Sequence, residues 1–331
     1  MQGTRRIWSL IASLALASCA GGAASPSLSN AGDQVKSRSG AIPAVGHKVP
    51  HTPKRPRLNT STFPQGALLF ISDYSNDVVD VYSQIGPNQA PVTQLSGLNG
   101  PDGIAVAPNG DVYVSNWDNN LVSVFHKHQT TAYESLSAVV TSYGGTAVAI
   151  APGGTVYVGN ESGIIQAFAG GATSPTSSLT DPNISGSYMS VAADANGNVF
   201  DLGANSSTSS PTIDEFTATS STPVTLPIFP SGYQGGLAVD ANDNLWVNDS
   251  GAGTISEYAP PYTGSPITHF SYANAPGFGL ALTKNGRKIW LALQSAVVGA
   301  EYNLRGRVKD ETSSSGLADP FGAGAYPPYP I

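Results

Sequence analysis

The stretch GPDGIAVAPNGDVYVSNWDNN, residues 100–120, decides the fold because close copies of it return along the chain. The copies read AVAIAPGGTVYVGN, SVAADANGNVFDLG, GLAVDANDNLWVND and GLALTKNGRKIWLA, and a last partial copy reads GAGAYPPYPI. The small residues that open the copies are Gly103, Ala147, Ser190, Gly236, Gly279 and Gly322. Their spacings of 44, 43, 46, 43 and 43 residues show that internal repetition sets the architecture.

Each full copy has the same internal order of strands and turns. An alternating strand comes first, and a glycine-containing turn such as Asn109-Gly110 or Asn196-Gly197 predicts a two-residue hairpin. A second strand follows, then a third that ends near an aromatic residue, as in LVSVF. A weaker fourth strand, for example SAVVTSY at residues 137–143, completes the unit. Four antiparallel strands in about 43 residues are typical of a propeller blade.

The two ends of the array complement each other. The first unit, GALLFISDYSNDVVDVYSQ, begins at its second strand, and the last, DPFGAGAYPPYPI, supplies only a first strand. We therefore predict that residues 322–326 pair with residues 66–73, which removes free sheet edges. The predicted fold is all-β, a six-bladed β-propeller of four-stranded antiparallel blades over residues 63–331.

The pattern GPDGIAVAPNGDVYVSN…LVSVF resembles NHL repeats and, more broadly, six-bladed propellers of the gluconolactonase and virginiamycin lyase types. The resemblance covers nearly all of residues 64–331. It implies the architecture and leaves the chemistry open, since one fold hosts many functions.

The N-terminus is typical of an export signal. Arg5 and Arg6 precede an apolar run over residues 7–17 that is too short for a stable membrane span. The sequence Leu-Ala-Ser-Cys at residues 16–19 resembles a bacterial lipobox, which implies a signal peptide over residues 1–18 and a lipid anchor on Cys19. The alternative is an ordinary signal peptide with a chance cysteine.

The lipobox resemblance implies a location in the bacterial cell envelope, on the outer membrane or the outer face of the cytoplasmic membrane. Cys19 is the only cysteine, so a disulfide within the chain is excluded. Ala20 stands where an inner-membrane retention signal would place Asp, which favours the outer membrane if the cell has one.

The sign of the net charge changes from positive to negative after residue 62. Residues 19–62 are rich in Pro, Ser and Gly and are predicted to form a disordered, basic tether, either a soluble spacer or a contact to anionic envelope polymers. Residues 1–62 contain eight Lys and Arg and one acidic residue, which leaves 7 basic and 21 acidic residues for the remainder. This acidic body is expected to bind no nucleic acid.

One face of the predicted propeller, which we call the mouth, collects the residues at the ends of the second strands and at the starts of the first strands. Aromatic, carboxylate and amide side chains there suit a glycan, a peptide or a protein partner. The candidate ligand-binding residues are Asp73, Tyr74, Asp102, Asn116, Trp117, Asn160, Glu161, Tyr188, Tyr233, Asp249, Phe278 and Phe321. The alternative for the Asn and Asp residues is that they cap turns.

An enzymatic role is the competing hypothesis. The gluconolactonase resemblance implies a Ca²⁺ or Mg²⁺ ion over the channel, for which Asp73, Asn160 and Asp249 are the candidate ligands of a lactonase or related hydrolase. The family's Glu is missing from the first strands, and His126 and His128 do not match the lyase histidine. The sequence contains no G-x-S-x-G elbow, so we assign no catalytic residue and expect no cofactor. A purely structural envelope role is the third possibility.

Overall fold

The computed structural model describes residues 66–84, 90–137, 145–185, 188–232, 234–272, 276–283, 288–306, 308–312 and 317–326. The signal peptide, Cys19 and the predicted tether therefore lie outside the described residues. The described residues form six four-stranded antiparallel sheets, joined by turns and one 3-10 helix at Tyr74–Asn76. Among these residues, we find no helix long and apolar enough to span a membrane.

The sheets follow one another along the chain as six blades. Blade 1 contains β1 (Leu68–Asp73), β2 (Val78–Ser83) and β3 (Thr93–Leu95). Blade 2 contains β4 (Pro101–Val106), β5 (Val112–Asn116), β6 (Leu121–Phe125) and β7 (Glu134–Ser137). Blade 3 contains β8 (Gly145–Ile150), β9 (Val156–Asn160), β10 (Ile164–Phe168) and β11 (Ser177–Thr180).

The second half of the chain repeats this order. Blade 4 contains β12 (Ser190–Ala193), β13 (Val199–Ala204), β14 (Pro211–Phe216) and β15 (Val224–Thr225). Blade 5 contains β16 (Leu237–Val239), β17 (Leu245–Asp249), β18 (Thr254–Tyr258) and β19 (Thr268–Ser271). Blade 6 contains β20 (Gly277–Leu282), β21 (Lys288–Leu293), β22 (Val298–Asn303) and β23 (Val308–Glu311), and the chain then supplies β24 (Pro320–Tyr326).

The ring closes as the sequence predicts. Strand β24 pairs antiparallel with β1, with Leu68 opposite Tyr326 and Ile71 opposite Ala323. Blade 1 therefore has the strand order β24-β1-β2-β3. The chain's last described strand completes its first blade, so the six-bladed propeller is confirmed.

The hydrophobic core is divided into six clusters, one between each pair of neighbouring blades. Alternate side chains of a strand point to opposite faces of its sheet. In β1, Leu68 and Phe70 pack against blade 2, whereas Leu69 and Ile71 pack against blade 6. This alternation buries both faces of every blade, and it explains why the strands are nearly continuous apolar runs.

The hairpin turns differ from the predicted two-residue loops. In blade 2 the amide of Gly110 donates to Ala107 O over 2.8 Å, so Pro108 and Asn109 occupy the turn centre and Gly110 follows it with φ 95°. This is a three-residue loop, in which a type I turn leads into a left-handed residue. Asp243 takes the left-handed position in blade 5, at φ 59°.

The fourth strand of blade 2 begins earlier than predicted. The structure places β7 at Glu134–Ser137, whereas the sequence predicts residues 137–143, of which 138–143 lie outside the described residues. Outer strands carry the least apolar pattern, because one edge is open to solvent. Their sequence signal is therefore the weakest in each blade.

Candidate functional site at the propeller mouth

The mouth is built from two kinds of loop that open on the same face. One kind joins the second and third strands of a blade, as in the hairpin from β5 to β6 that carries Trp117. The other enters the innermost strand, as in the segment before β12 that carries Tyr188. Because the second strand pairs antiparallel with the first and third strands, the two kinds of loop lie at the same end of every blade.

Five predicted mouth residues converge in one aromatic cluster. Tyr188 lies at its centre, with its ring 5.2 Å from Trp117, 5.8 Å from Phe321 and 6.5 Å from Phe278. Phe278 and Phe321 stack on each other at 5.1 Å, and Tyr74 is 5.7 Å from Phe321. The two Phe rings are buried, whereas Tyr74, Trp117 and Tyr188 are partly exposed, so the cluster presents aromatic surface to the solvent.

Two buried carboxyl groups lie among these rings. Asp102 is the second residue of the inner strand of blade 2, and its Oδ2 atom is buried with no hydrogen-bond partner among the described residues. Burial, with the charges of Glu161 and Asp319, raises the pKa of Asp102 well above its usual range. Burial also raises the pKa of Glu161 to about 7. A cationic group would relieve both carboxyl groups.

Asp319 is a mouth residue that the sequence reasoning missed. Its carboxylate accepts a hydrogen bond of 2.6 Å from Gln294 Nε2, and its charge contributes to the raised pKa values of Asp102 and Tyr188. The signal was available, because Pro320-Phe321 repeats Pro101-Asp102 at the start of an inner strand. The residue just before each of these pairs, Gly100 or Asp319, therefore belongs to a loop that enters an inner strand at the mouth.

Four predicted polar residues instead hold the loops of the mouth. Asp73 accepts hydrogen bonds from the Asn76 side chain and from the amides of Ala318 and Asp319. These bonds fix the segment that enters the closing strand β24. Asp73 thereby acts in ring closure.

Asn116 lies fully buried and is saturated with hydrogen bonds. Its Oδ1 accepts from the Asn99 amide, and its Nδ2 donates to Val114 O, Leu121 O and Ser123 Oγ at 3.0 to 3.2 Å. Such a side chain joins the second and third strands of its blade. Because it is 0% exposed, it offers no surface to a ligand at the mouth.

Asn160 and Asp249 cap their own hairpins. Asn160 Oδ1 accepts from the amides of Ser162 and Ile164, while its Nδ2 is buried without a partner in the described part of the chain. Asp249 accepts from the Ser231 amide and hydroxyl, and from three further amides at 3.0 to 3.1 Å, those of Gly232, Gly251 and Ala252. The oxygens proposed as metal ligands thus already accept protein hydrogen bonds.

Beneath the aromatic cluster the channel narrows to a cavity of about 90 Å³. All six inner strands or their entries line it, with five glycines among the lining residues, and its polar lining includes Asp102, Ser190 and Gln234. Such a space admits only a small group, so a large ligand would lie on the mouth and insert at most a side chain. Tyr233 lies outside the described residues.

An exposed aromatic residue at the rim was also missed. Phe229 is 84% exposed and belongs to the loop that Asp249 holds through Ser231. An apolar ring so exposed adds apolar surface to this loop. Its sequence signal, PIFPSG, is a proline-flanked loop without periodicity.

The fold and the mouth define a six-bladed β-propeller, and comparisons with known proteins agree. Residues 98–125 match the family model of the NHL repeat. No curated protein matches the chain.

Solved structures show the same architecture at low sequence identity. The chain is similar to a chain of a nidogen/laminin complex, at 14% identity and a TM-score of 0.62, covering 78% of this chain and 98% of that one. A catalytically inactive virginiamycin B lyase from Staphylococcus aureus with quinupristin gives 14% identity and a TM-score of 0.55, covering 80% and 89%. A hydrazine synthase from Kuenenia stuttgartiensis gives 16% identity and a TM-score of 0.52, covering 78% and 80%. These likenesses establish the fold alone.

Proposed function

We propose that this propeller is a recognition module whose mouth binds a partner protein or peptide through a basic side chain. The observation that supports this is the clustering of aromatic rings with the buried carboxyl groups of Asp102 and Glu161. Among the described residues, no Lys or Arg lines the channel to neutralise them. An ammonium or guanidinium group there gains both a charge partner and a cation–π contact.

The size of the site favours an inserted side chain over an enclosed ligand. The channel volume of about 90 Å³ is far below that of a typical small-molecule pocket. The partly exposed rings of Tyr74, Trp117 and Tyr188 surround the entrance and provide contact surface for the rest of a partner. A glycan stacked on the same rings is the other ligand class that we weigh, and it would need no positive charge.

We place this module in the cell envelope. The support is the export signal and the lipobox-like residues ending at Cys19, which would attach the chain to a membrane through a lipid. Labelling cells with a radioactive fatty acid tests the anchor. We expect label on the wild-type chain and none on Cys19→Ser, and equal labelling of both chains would overturn the anchor.

An array of peptides and glycans tests the recognition role. We expect the purified chain to bind peptides that contain Lys or Arg, and Trp117→Ala to reduce that binding by about tenfold or more, as loss of a central aromatic residue does at protein interfaces. Tyr133→Ala is the matched control, since Tyr133 is an exposed aromatic residue stacked on His126 at the opposite end of blade 2. Binding confined to uncharged glycans would replace the peptide hypothesis with the glycan hypothesis.

The hydrolase alternative has a separate test. It requires Asp73, Asn160 and Asp249 to share a cation, although their oxygens accept hydrogen bonds from the loops of the mouth. A lactone-hydrolysis assay in Ca²⁺ or Mg²⁺ is the direct measurement. Turnover that Asp249→Ala abolishes would contradict the binding role, and we expect none.

A further inference from the structure

Three carboxylates meet inside the propeller, and none of them belongs to the aromatic cluster of the mouth. Asp201 lies on β13, Asp214 lies directly opposite it on β14, and Asp181 belongs to the connection from blade 3 to blade 4. One oxygen of each lies within 4.8 Å of the others, and all three residues are buried. Like charges directly opposite on paired strands destabilise a sheet, so this arrangement requires compensation.

Asp201 occupies a position that every other blade fills with an apolar residue. The residue two before the end of the second strand, counted by the repeat, is buried in all six blades. The other five blades have Ile71, Val114, Val158, Val247 and Leu291 at this position. The sequence of blade 4 has therefore replaced a core valine or its equivalent by a carboxylate.

The carboxylate of Asp201 lies in the cluster without a positively charged partner among the described residues. The residue is 0% exposed, and neither its two oxygens nor Asp181 Oδ2 has a hydrogen bond of good geometry to a donor among the described residues. Burial, the charges of Asp181 and Asp214 and a side-chain contact with Asp181 raise the pKa of Asp201 well above its usual range, which a contact with the Asp214 amide offsets only in part. An orphaned buried carboxylate costs several kcal/mol unless a positive charge is supplied.

The surroundings hold the other two carboxylates in place. Asp214 accepts from Thr212, Thr225 and the Asn183 side chain, and Asp181 Oδ1 accepts from the Asn183 amide over 2.7 Å. Thr225 is exposed, so the Asp214 side of the cluster lies next to solvent, which gives an ion a way in. In the described part of the chain, no Lys, Arg or His forms an ion pair with the three carboxylates.

We propose that Asp181, Asp201 and Asp214 form a binding site for a hard divalent cation, Ca²⁺ above all, between blades 3 and 4. All the donors are oxygens, which is the ligand class of Ca²⁺. Two oxygens that share a Ca²⁺ at about 2.4 Å are at most roughly 4.8 Å apart, and one oxygen of each carboxylate lies within that distance of the others. The ion would join the two blades and complete their interface, a role independent of recognition at the mouth.

Calcium titration of the purified full chain, treated first with a chelator, tests the site by calorimetry and thermal unfolding. We expect one saturable Ca²⁺ per chain at pH 7.5 and a melting temperature about 5 °C higher at a hundredfold excess over Kd. Asp201→Val is the decisive variant, because valine stands at the same position in three other blades. It should lose the calcium binding and melt at one temperature with or without Ca²⁺.

Two further variants distinguish a calcium site at Asp201 from calcium binding at the mouth and from a cluster of protonated carboxyl groups. Asp201→Asn keeps the shape of the side chain and should also lose calcium binding, whereas Glu161→Gln at the mouth should retain it. Absence of saturable binding by the wild-type chain, with Asp201→Val melting higher in both buffers, would overturn the proposal and show that the carboxyl groups hold protons instead. Loss of binding in Glu161→Gln but not in Asp201→Val would equally overturn it.

Discussion

Replacing Gly322 by alanine tests the packing that closes the ring. Gly322 lies in β24 where this strand closely approaches β4, the inner strand of blade 2, and its amide donates to Ser72 Oγ over 2.5 Å. A Cβ atom on Gly322 would lie 2.0 Å from Asp102 O, a backbone atom that cannot rotate away. Because ordinary contacts begin near 3.4 Å, β24 and β4 would have to separate by about 1.4 Å.

The cost of this separation can be estimated. Overpacking a close-packed core typically costs about 1–3 kcal/mol, and a clash with backbone belongs at the upper end of that range. A domain of about 260 residues unfolds with an entropy near 0.55 kcal/mol/K, so the melting temperature should fall by about 5 °C. Differential scanning calorimetry of the purified chain measures this directly.

Gly153→Ala is the matched control for that experiment. Gly153 lies in an exposed hairpin turn, and a Cβ atom there would meet nothing within 4 Å. The same chemical change should therefore leave the melting temperature within about 1 °C of the wild-type value. Equal melting of Gly322→Ala, Gly153→Ala and the wild-type chain would refute the close approach of the inner strands.

Three further perturbations have defined outcomes. Truncation after Leu317 removes β24, the inner strand of blade 1, which is buried against its neighbours, so the cooperative melting transition should vanish. An unchanged transition would contradict the closure of the ring. Glu161→Gln should stabilise the chain by about 1.5 kcal/mol at pH 8 and not at pH 4 in denaturant titrations. The pKa of the Glu161 carboxyl is raised from 4.5 to about 7, so ionising it lowers the free energy of unfolding as pH rises through this range. The full shift corresponds to roughly 3.4 kcal/mol, and screening by solvent leaves about half of that. A pH-independent effect would refute the burial argument. Asp249→Ala removes an acceptor of several amides and should lower stability by about 2 kcal/mol with or without Ca²⁺; destabilisation only in Ca²⁺ would indicate a metal ligand.

The architecture could be predicted because its causes are local and repeated. The spacing of the small residues that open the copies, from Gly103 to Gly322, predicts the number of blades, and the unmatched ends predict the pairing of β24 with β1. The turn chemistry was less readable. A Pro-Asn-Gly sequence suits both a two-residue and a three-residue loop, and only the bond from Gly110 to Ala107 distinguishes them.

The site was predictable in part. The aromatic residues at the mouth converge as the repeat alignment implies, because position within a blade fixes the face to which a residue belongs. The hydrogen bonds of Asp73 could not be predicted, since its partners, the amides of Ala318 and Asp319, lie about 245 residues away in the chain. The cluster around Asp201 was missed because its three members come from different strands and loops, although a lone Asp within VFDLG was a visible break in the apolar pattern.

Fluorescence titration of the purified chain with a hexa-arginine peptide tests recognition at the mouth most directly. Of the tryptophans that the structure describes, Trp117 is partly exposed, whereas Trp246 and Trp290 are buried, so the signal reports on the mouth. We predict a saturable change at pH 8 that is absent in Trp117→Phe and weakened about tenfold or more in Glu161→Gln. No saturable change, or an equal change with a hexa-alanine peptide, would contradict a mouth that recognises basic side chains.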